Sequence, residues 1–250
     1  FVMKKNVAIV TGASKGIGAA TAILLAKNNL NVAIVYKSSI KEAKTVLKKC
    51  CKYSNCILIK GDVTKNRDCK KIITTTIKKL GDINILVNNA GKTKFVEFKN
   101  LEGLNEKDFL DIYKANVLSI FQMVRACKDS LLRTKEPKII NISSIAALGL
   151  GSSIAYACSK GAVNSLGLSL ARTLAPQISV NTICPGYVET GWHGTKNDIK
   201  NKSKSNKSFV PLKKSASPEN IASTIMWFIN SNHLITGETL YVDGGYHLKA

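Results

Sequence analysis

Tyr156 and Lys160, in the segment AYACSK, stand four residues apart. On a helix that spacing places both side chains on one face, one turn apart, where they can act on the same reacting group. A phenol with an ordinary pKa of about 10 is a poor acid near neutrality, and a neighbouring ammonium moves it towards the working range. The pair therefore suits proton transfer at a carbonyl or alcohol oxygen. A hydroxyl from the segment just before, Ser144 or its neighbour Ser143, supplies a hydrogen bond to that oxygen as its charge changes.

A second constellation points to a nucleotide. TGASKGIG, residues 11–18, joins an apolar β-branched run to a helical pattern. Gly12 permits the sharp turn, Gly16 the close approach of backbone to ligand, and Gly18 the packing of helix on strand. Ser14, Lys15 and Ile17 complete the turn and leave the helix N-terminus aimed at a pyrophosphate. At the end of the second run, where an NAD-binding chain usually carries a carboxylate for the ribose hydroxyls, this chain has Tyr36 and Lys37. Lys37 and Lys15 can instead hold a 2′-phosphate, which predicts NADP as the cofactor; the competing reading is two solvated lysines. Asp62, followed by Val63, is placed to accept from an adenine amino group or, more plainly, to cap a helix. NNAG, residues 88–91, offers small residues against which a flat ligand can lie.

These residues need a frame that brings them to one edge. Seven apolar runs recur at 7–12, 31–36, 56–63, 83–91, 138–144, 179–186 and 239–245, with helical patterns between them. The runs are continuous rather than alternating in polarity, as in strands covered on both faces. The expected fold is α/β: a single doubly wound Rossmann-type domain over residues 1–250, with a seven-stranded parallel sheet and helices on both faces. Asn105 with Asp108 predicts a capping box, and Ser217 before Pro218 an N-cap. The polar segment at about 190–217 reads as an irregular lid over the substrate site.

Composition narrows the alternatives. Seven cysteines without a CxxC pair, and three scattered histidines, predict reduced thiols and no metal site. No apolar run reaches the roughly 20 residues that span a bilayer, and the N-terminal segment lacks a signal-peptide layout, so a cytoplasmic protein is expected, with no membrane partner. The net charge of +21 is spread along the chain, densest at 196–214, without the interleaved aromatics of a nucleic-acid surface. No nucleic-acid partner is expected.

TGASKGIG, NNAG, ISS followed by YACSK, PGYVET and VDGG, in that order, resemble the short-chain dehydrogenase/reductase family over essentially the whole chain. The length, the PENIA helix and the ITGETLYVDGG ending are most similar to its 3-oxoacyl-acyl-carrier-protein reductase group. The resemblance implies Tyr156 as proton donor, Ser144 orienting the carbonyl, and Lys160 binding the nicotinamide ribose while lowering the tyrosine pKa. It also implies Asn116 supporting a water that leads to Lys160. Asn89, Ala90 and Gly91 are implied to line the cofactor, and Pro185, Gly186, Val188 and Thr190 to hold the nicotinamide carboxamide. Two departures stand out: the Ser144 to Tyr156 spacing is one residue shorter than is common in the family, and Ala147 replaces a frequent glycine.

The function expected is NADPH-dependent reduction of a ketone, with a 3-oxoacyl chain on an acidic carrier protein suiting the basic surface, notably Arg133, Arg172 and the 196–214 lysines. The same chemistry on a sugar, steroid or other small carbonyl is the alternative. A non-catalytic nucleotide- or nucleic-acid-binding protein would not need Ser, Tyr and Lys together. The resemblance further implies a homotetramer.

Overall fold

The structure, a computed structural model, describes residues 6–193, 196–231 and 234–249, with backbone alone for five of these, His193 among them. The side chain of His193 and all of His233 lie outside the described residues. Each of the seven runs contains a strand: β1 (Val7–Val10), β2 (Asn31–Tyr36), β3 (Cys56–Lys60), β4 (Ile85–Asn88), β5 (Lys138–Ile142), β6 (Ser179–Pro185) and β7 (Thr239–Val242). They form one sheet in the order β3-β2-β1-β4-β5-β6-β7, every pair parallel. The chain order reverses between β1 and β4, the kind of switch point where doubly wound sheets open a crevice.

Helices α1 (Gly16–Lys27), α2 (Ile40–Cys50), α3 (Asn66–Leu80), α4 (Glu106–Tyr113), α5 (Ser119–Leu131), α6 (Ile154–Leu174), α7 (Lys196–Phe209) and α8 (Pro218–Asn230) complete the fold. Successive strand residues feed two cores. Val7 and Ile9 join Ile72 of α3, Met123 of α5 and Val163 of α6. Ala8 and Val10 join Leu25 of α1, Val46 of α2 and Ile225 of α8. Two apolar layers explain why the runs do not alternate, since each large side chain gains about 1.5–3 kcal/mol on burial from either face.

Both expected caps form. Asn105 and Asp108 bond each other's backbone N–H groups at the start of α4, and Ser217 does the same with Asn220 ahead of Pro218. The 190–217 segment differs from expectation. It is not irregular throughout, because α7 occupies its middle. Lys138 is buried, and its ammonium donates to the Phe228 and Ser231 carbonyls at 3.1 and 2.6 Å, satisfying the end of α8. Among the described residues, no helix is long and apolar enough to cross a membrane.

Candidate active site

Most of the expected site residues sit just beyond strand ends, and the parallel register brings those ends level. The segments after β1, β2, β3, β4, β5 and β6 line one cleft of about 1410 Å³. Gly12, Ser14, Lys15, Gly16 and Ile17 form one wall; Tyr36, Lys37, Asp62 and Val63 the next; Asn89, Ala90 and Gly91 the middle. Ser143, Ser144, Tyr156 and Lys160 lie beyond, with Pro185, Gly186, Val188 and Thr190 opposite.

The glycine turn is shaped for a ligand that backbone must approach. Gly12 has φ +63°, and a Cβ there would stand 2.9 Å from Ala90 Cα. Gly18 does not line the cleft. It packs beneath the turn, where a Cβ would fall 2.5 Å from Asn89 Nδ2 and 2.6 Å from the Gly12 carbonyl. Asn89 Nδ2 itself donates to the Thr11 and Gly12 carbonyls at 2.9 and 3.2 Å, binding the turns after β1 and β4 together. α1 begins with no side-chain cap and no acidic residue in its first turn, so its free N–H groups and positive dipole end face the cleft. These features fit a pyrophosphate.

Lys37 Nζ and Asp62 Oδ2 are 2.9 Å apart, so the two residues that the sequence assigns to separate parts of a nucleotide are ion-paired. Asp62 also accepts from the Thr64 N–H and hydroxyl at 3.1 and 2.7 Å, an Asx turn ahead of α3 rather than a cap of that helix, whose N-cap is Lys65. Burial opposes its charge, but the bonds from Lys37 and Thr64 outweigh burial and hold the carboxyl below its usual range.

α6 carries Tyr156 and Lys160 in its first two turns, capped by Ser153, whose hydroxyl accepts from the Tyr156 N–H at 3.3 Å. Lys160 Nζ lies 5.6 Å from the Tyr156 ring centre and donates to the Ile142 carbonyl at 2.8 Å. Burial pushes the Lys160 ammonium down to about 8. Tyr156 is raised to about 12, chiefly by burial, against a lowering hydrogen bond from Ser144. Desolvation thus outweighs the Ser144 hydrogen bond and holds the phenol above its ordinary value, the opposite of the lowering expected from Lys160.

The two candidate serines separate by their partners. Ser143 is buried and donates to the Lys160 carbonyl at 3.1 Å, tying β5 to α6. Ser144 accepts from the Ala146 N–H at 3.1 Å, and its hydroxyl reaches Tyr156. Asn116 does not line the cleft. It sits in a π-helical turn, Lys114–Leu118, behind Gly91. Its Nδ2 donates to the Lys92 carbonyl at 3.0 Å and Ser159 Oγ at 2.8 Å, and its Oδ1 accepts from the Lys92 N–H at 2.7 Å. Ser159 in turn donates to the Tyr156 carbonyl at 2.7 Å, so Asn116 braces the first turn of α6, which carries Tyr156.

Sequence reasoning missed the aromatic mouth. Trp192 approaches Tyr156 with ring centres 6.3 Å apart, and Phe95, Phe98 and Phe209 line the same cleft. Lys202 of α7 lies over the Phe95 ring at 5.1 Å, joining α7 to the opposite wall. Of these, Trp192 carries a sequence signal: it is an isolated tryptophan in a polar segment, two residues after Thr190.

A family model described as enoyl-(acyl carrier protein) reductase matches residues 12–247. The 3-oxoacyl-[acyl-carrier-protein] reductase FabG of Staphylococcus epidermidis is 31% identical over 246 residues, covering 96% of this chain and 98% of that protein. A short-chain dehydrogenase/reductase of Serratia marcescens superposes with a TM-score of 0.87 at 28% identity, over 99% of this chain and 100% of that one. The aldohexose dehydrogenase of Thermoplasma acidophilum gives 0.86 at 28% identity, over 99% and 96%. With the Tyr156, Lys160 and Ser144 arrangement above, these likenesses establish that the chain belongs to the short-chain dehydrogenase/reductase family of oxidoreductases.

Proposed function

We propose that the protein is an NADPH-dependent reductase of 3-oxoacyl substrates, converting the ketone to a secondary alcohol. The observation that carries this reading is Tyr156 lining the cleft in reach of Ser144, with Lys160 Nζ 5.6 Å from its ring centre.

The uncapped α1 N-terminus and the glycine turn would hold the pyrophosphate, Lys15 and Lys37 the 2′-phosphate, and Lys160 the nicotinamide ribose. When bound, the nicotinamide supplies the hydride. Ser144 donates a hydrogen bond to the substrate carbonyl oxygen, and Tyr156 gives that oxygen its proton as negative charge develops there. Lys160 keeps positive charge beneath the site, which favours the phenolate left behind. Asn116 acts on the chemistry by holding the Tyr156 turn.

The mouth supports the substrate class. Phe95, Phe98, Trp192 and Phe209 offer apolar, partly exposed walls that suit an acyl chain better than a hydroxyl-rich sugar, which would need several polar partners. Lys92, Lys114 and Lys202 line the cleft around them and suit the phosphate and carboxylates of an acidic acyl carrier protein. Phe109, Leu110 and Tyr113 of α4, Phe121 of α5 and Leu168 of α6 are exposed, which supports a homotetramer joined through these long helices.

The test is turnover of an acetoacetyl group on coenzyme A and on carrier protein at two salt concentrations, with product analysis. The reading expects a 3-hydroxyacyl product from both, and a much steeper loss with salt for the carrier-bound form. Equal salt responses remove the carrier protein, and reduction of a 2-enoyl thioester alone would replace ketone chemistry by that of the matched family model's description.

A further inference from the structure

α7 contributes Lys202, Ser205 and Phe209 to the cleft, yet it is a lysine- and serine-rich helix with little apolar surface to hold its seat. Among the residues of α7 whose side chains are described, Ser203 alone is buried. Its hydroxyl donates to Glu189 Oε1 at 2.5 Å, the short separation of a hydroxyl bonded to a carboxylate. The same oxygen lies 3.1 Å from Ser215 Oγ, and the Ser215 hydroxyl donates to the Ser203 carbonyl at 3.4 Å. Glu189 and Ser215 belong to the two short segments that precede and follow α7, and those segments pair with each other. The Glu189 N–H donates to the Ala216 carbonyl at 2.9 Å and the Ala216 N–H to the Tyr187 carbonyl at 3.2 Å, with Val188 and Ala216 opposite in a parallel bridge. The middle of α7 is thus fastened by one serine to a small hydrogen-bonded ladder at its own base. Neither Glu189 nor Ser203 lines the cleft, but each stands beside residues that do: Glu189 between Val188 and Thr190, and Ser203 next to Lys202, which reaches over the Phe95 ring.

We propose that Glu189, acting through Ser203, is a positioning residue for the substrate: its carboxylate seats α7 so that Lys202 and Phe209 form the wall against which the far part of an acyl chain lies. Chain-length preference then depends on a carboxylate that does not touch the chain. The inference rests on the 3-oxoacyl reading of the cleft given above. A hydrogen bond to a charged acceptor is the stronger kind, and here it stands where the helix has no apolar core of its own to replace it.

Two measurements on the whole protein test this, with Glu189→Ala, Glu189→Gln, Ser203→Ala and the double variant Glu189→Ala with Ser203→Ala. The first needs no substrate, because Lys202, Lys204 and Lys207 place tryptic sites along α7. Brief digestion of the folded protein reports how often the helix leaves its seat. Glu189→Ala and Ser203→Ala are each expected to speed cleavage at these sites about tenfold, the double variant no more than either alone, and Glu189→Gln little, since its amide oxygen still accepts from Ser203. Unchanged cleavage, additive effects in the double variant, or Glu189→Gln as fast as Glu189→Ala overturns the proposal. The second measurement compares a long 3-oxoacyl thioester with acetoacetyl-CoA. Glu189→Ala is expected to raise the KM for the long substrate about tenfold, to move that for the short one less, and to leave kcat and NADPH affinity near those of the wild type, with Glu189→Gln restoring the KM. An equal rise for both chain lengths, or a loss of NADPH affinity in its place, would put Glu189 in the service of the cofactor turn and overturn the proposal. A wild-type protein that reduces neither thioester removes the 3-oxoacyl reading by itself, while the cleavage rates still decide whether Glu189 seats α7.

Discussion

Lys37 and Asp62, at the ends of neighbouring strands, form an ion pair with 2.9 Å between Nζ and Oδ2. The lysine remains mostly exposed, so it can turn to a phosphate while the Thr64 N–H and hydroxyl still bond the Asp62 carboxylate. Lys15→Ala together with Lys37→Ala is expected to raise the KM for NADPH by roughly 10–100-fold, the range of one or two charge-assisted hydrogen bonds. The KM for NADH should change little. Equal losses with both would show that the lysines do not read the 2′-phosphate.

Lys160 gives the pH dependence. Its pKa lies near 8, below the ordinary lysine value, so its charge is present under that pH and lost above it. Tyr156 is raised to about 12 and stays protonated throughout this window. The kcat/KM for ketone reduction should therefore fall as pH rises through about 8, the limb belonging to the lysine. A profile flat to pH 10 would contradict this.

Gly18→Ala tests the turn without touching the cleft. Its methyl group would collide with the Asn89 amide and with the Gly12 backbone. Overpacking of this kind costs about 1–3 kcal/mol. A lower thermal midpoint and weakened cofactor binding are expected together, read by calorimetry and by titration with NADPH. Retention of both would mean that the turn shifts freely.

Trp192 tests the aromatic mouth. Trp192→Ala should raise the KM for a long 3-oxoacyl thioester by roughly tenfold, in line with the loss of about 1–2 kcal/mol of apolar contact. Its effect on a short acetoacetyl substrate should be smaller. An equal effect on both chain lengths would place the acyl chain elsewhere.

The frame was legible because burial on both faces of a parallel sheet writes continuous apolar runs, and because Gly12 and the Tyr156–Lys160 spacing carry their geometry locally. The caps at Asn105 and Ser217 were legible for the same reason. What escaped depends on distant partners: Asn116 was named through the resemblance, but the bonds it makes were not legible. Asn116 bonds Lys92 and Ser159, 24 and 43 residues away, and nothing in its neighbourhood announces the π turn that aims it. α7 was hidden by a lysine- and serine-rich composition that resembles a loop. The pairing of Lys37 with Asp62 required β2 and β3 to lie in register, and the raised tyrosine pKa required knowing how much protein surrounds the ring.

The most direct measurement is NADPH oxidation with acetoacetyl-CoA by the wild-type protein and by Tyr156→Phe, with NADPH affinity determined for both. Wild-type turnover, an approximately 10²–10⁴-fold loss of kcat in the variant and near-equal cofactor affinity are predicted, the size expected for a general acid. A Tyr156→Phe protein that reduces the substrate at the wild-type rate would contradict the assignment of Tyr156 as the proton donor.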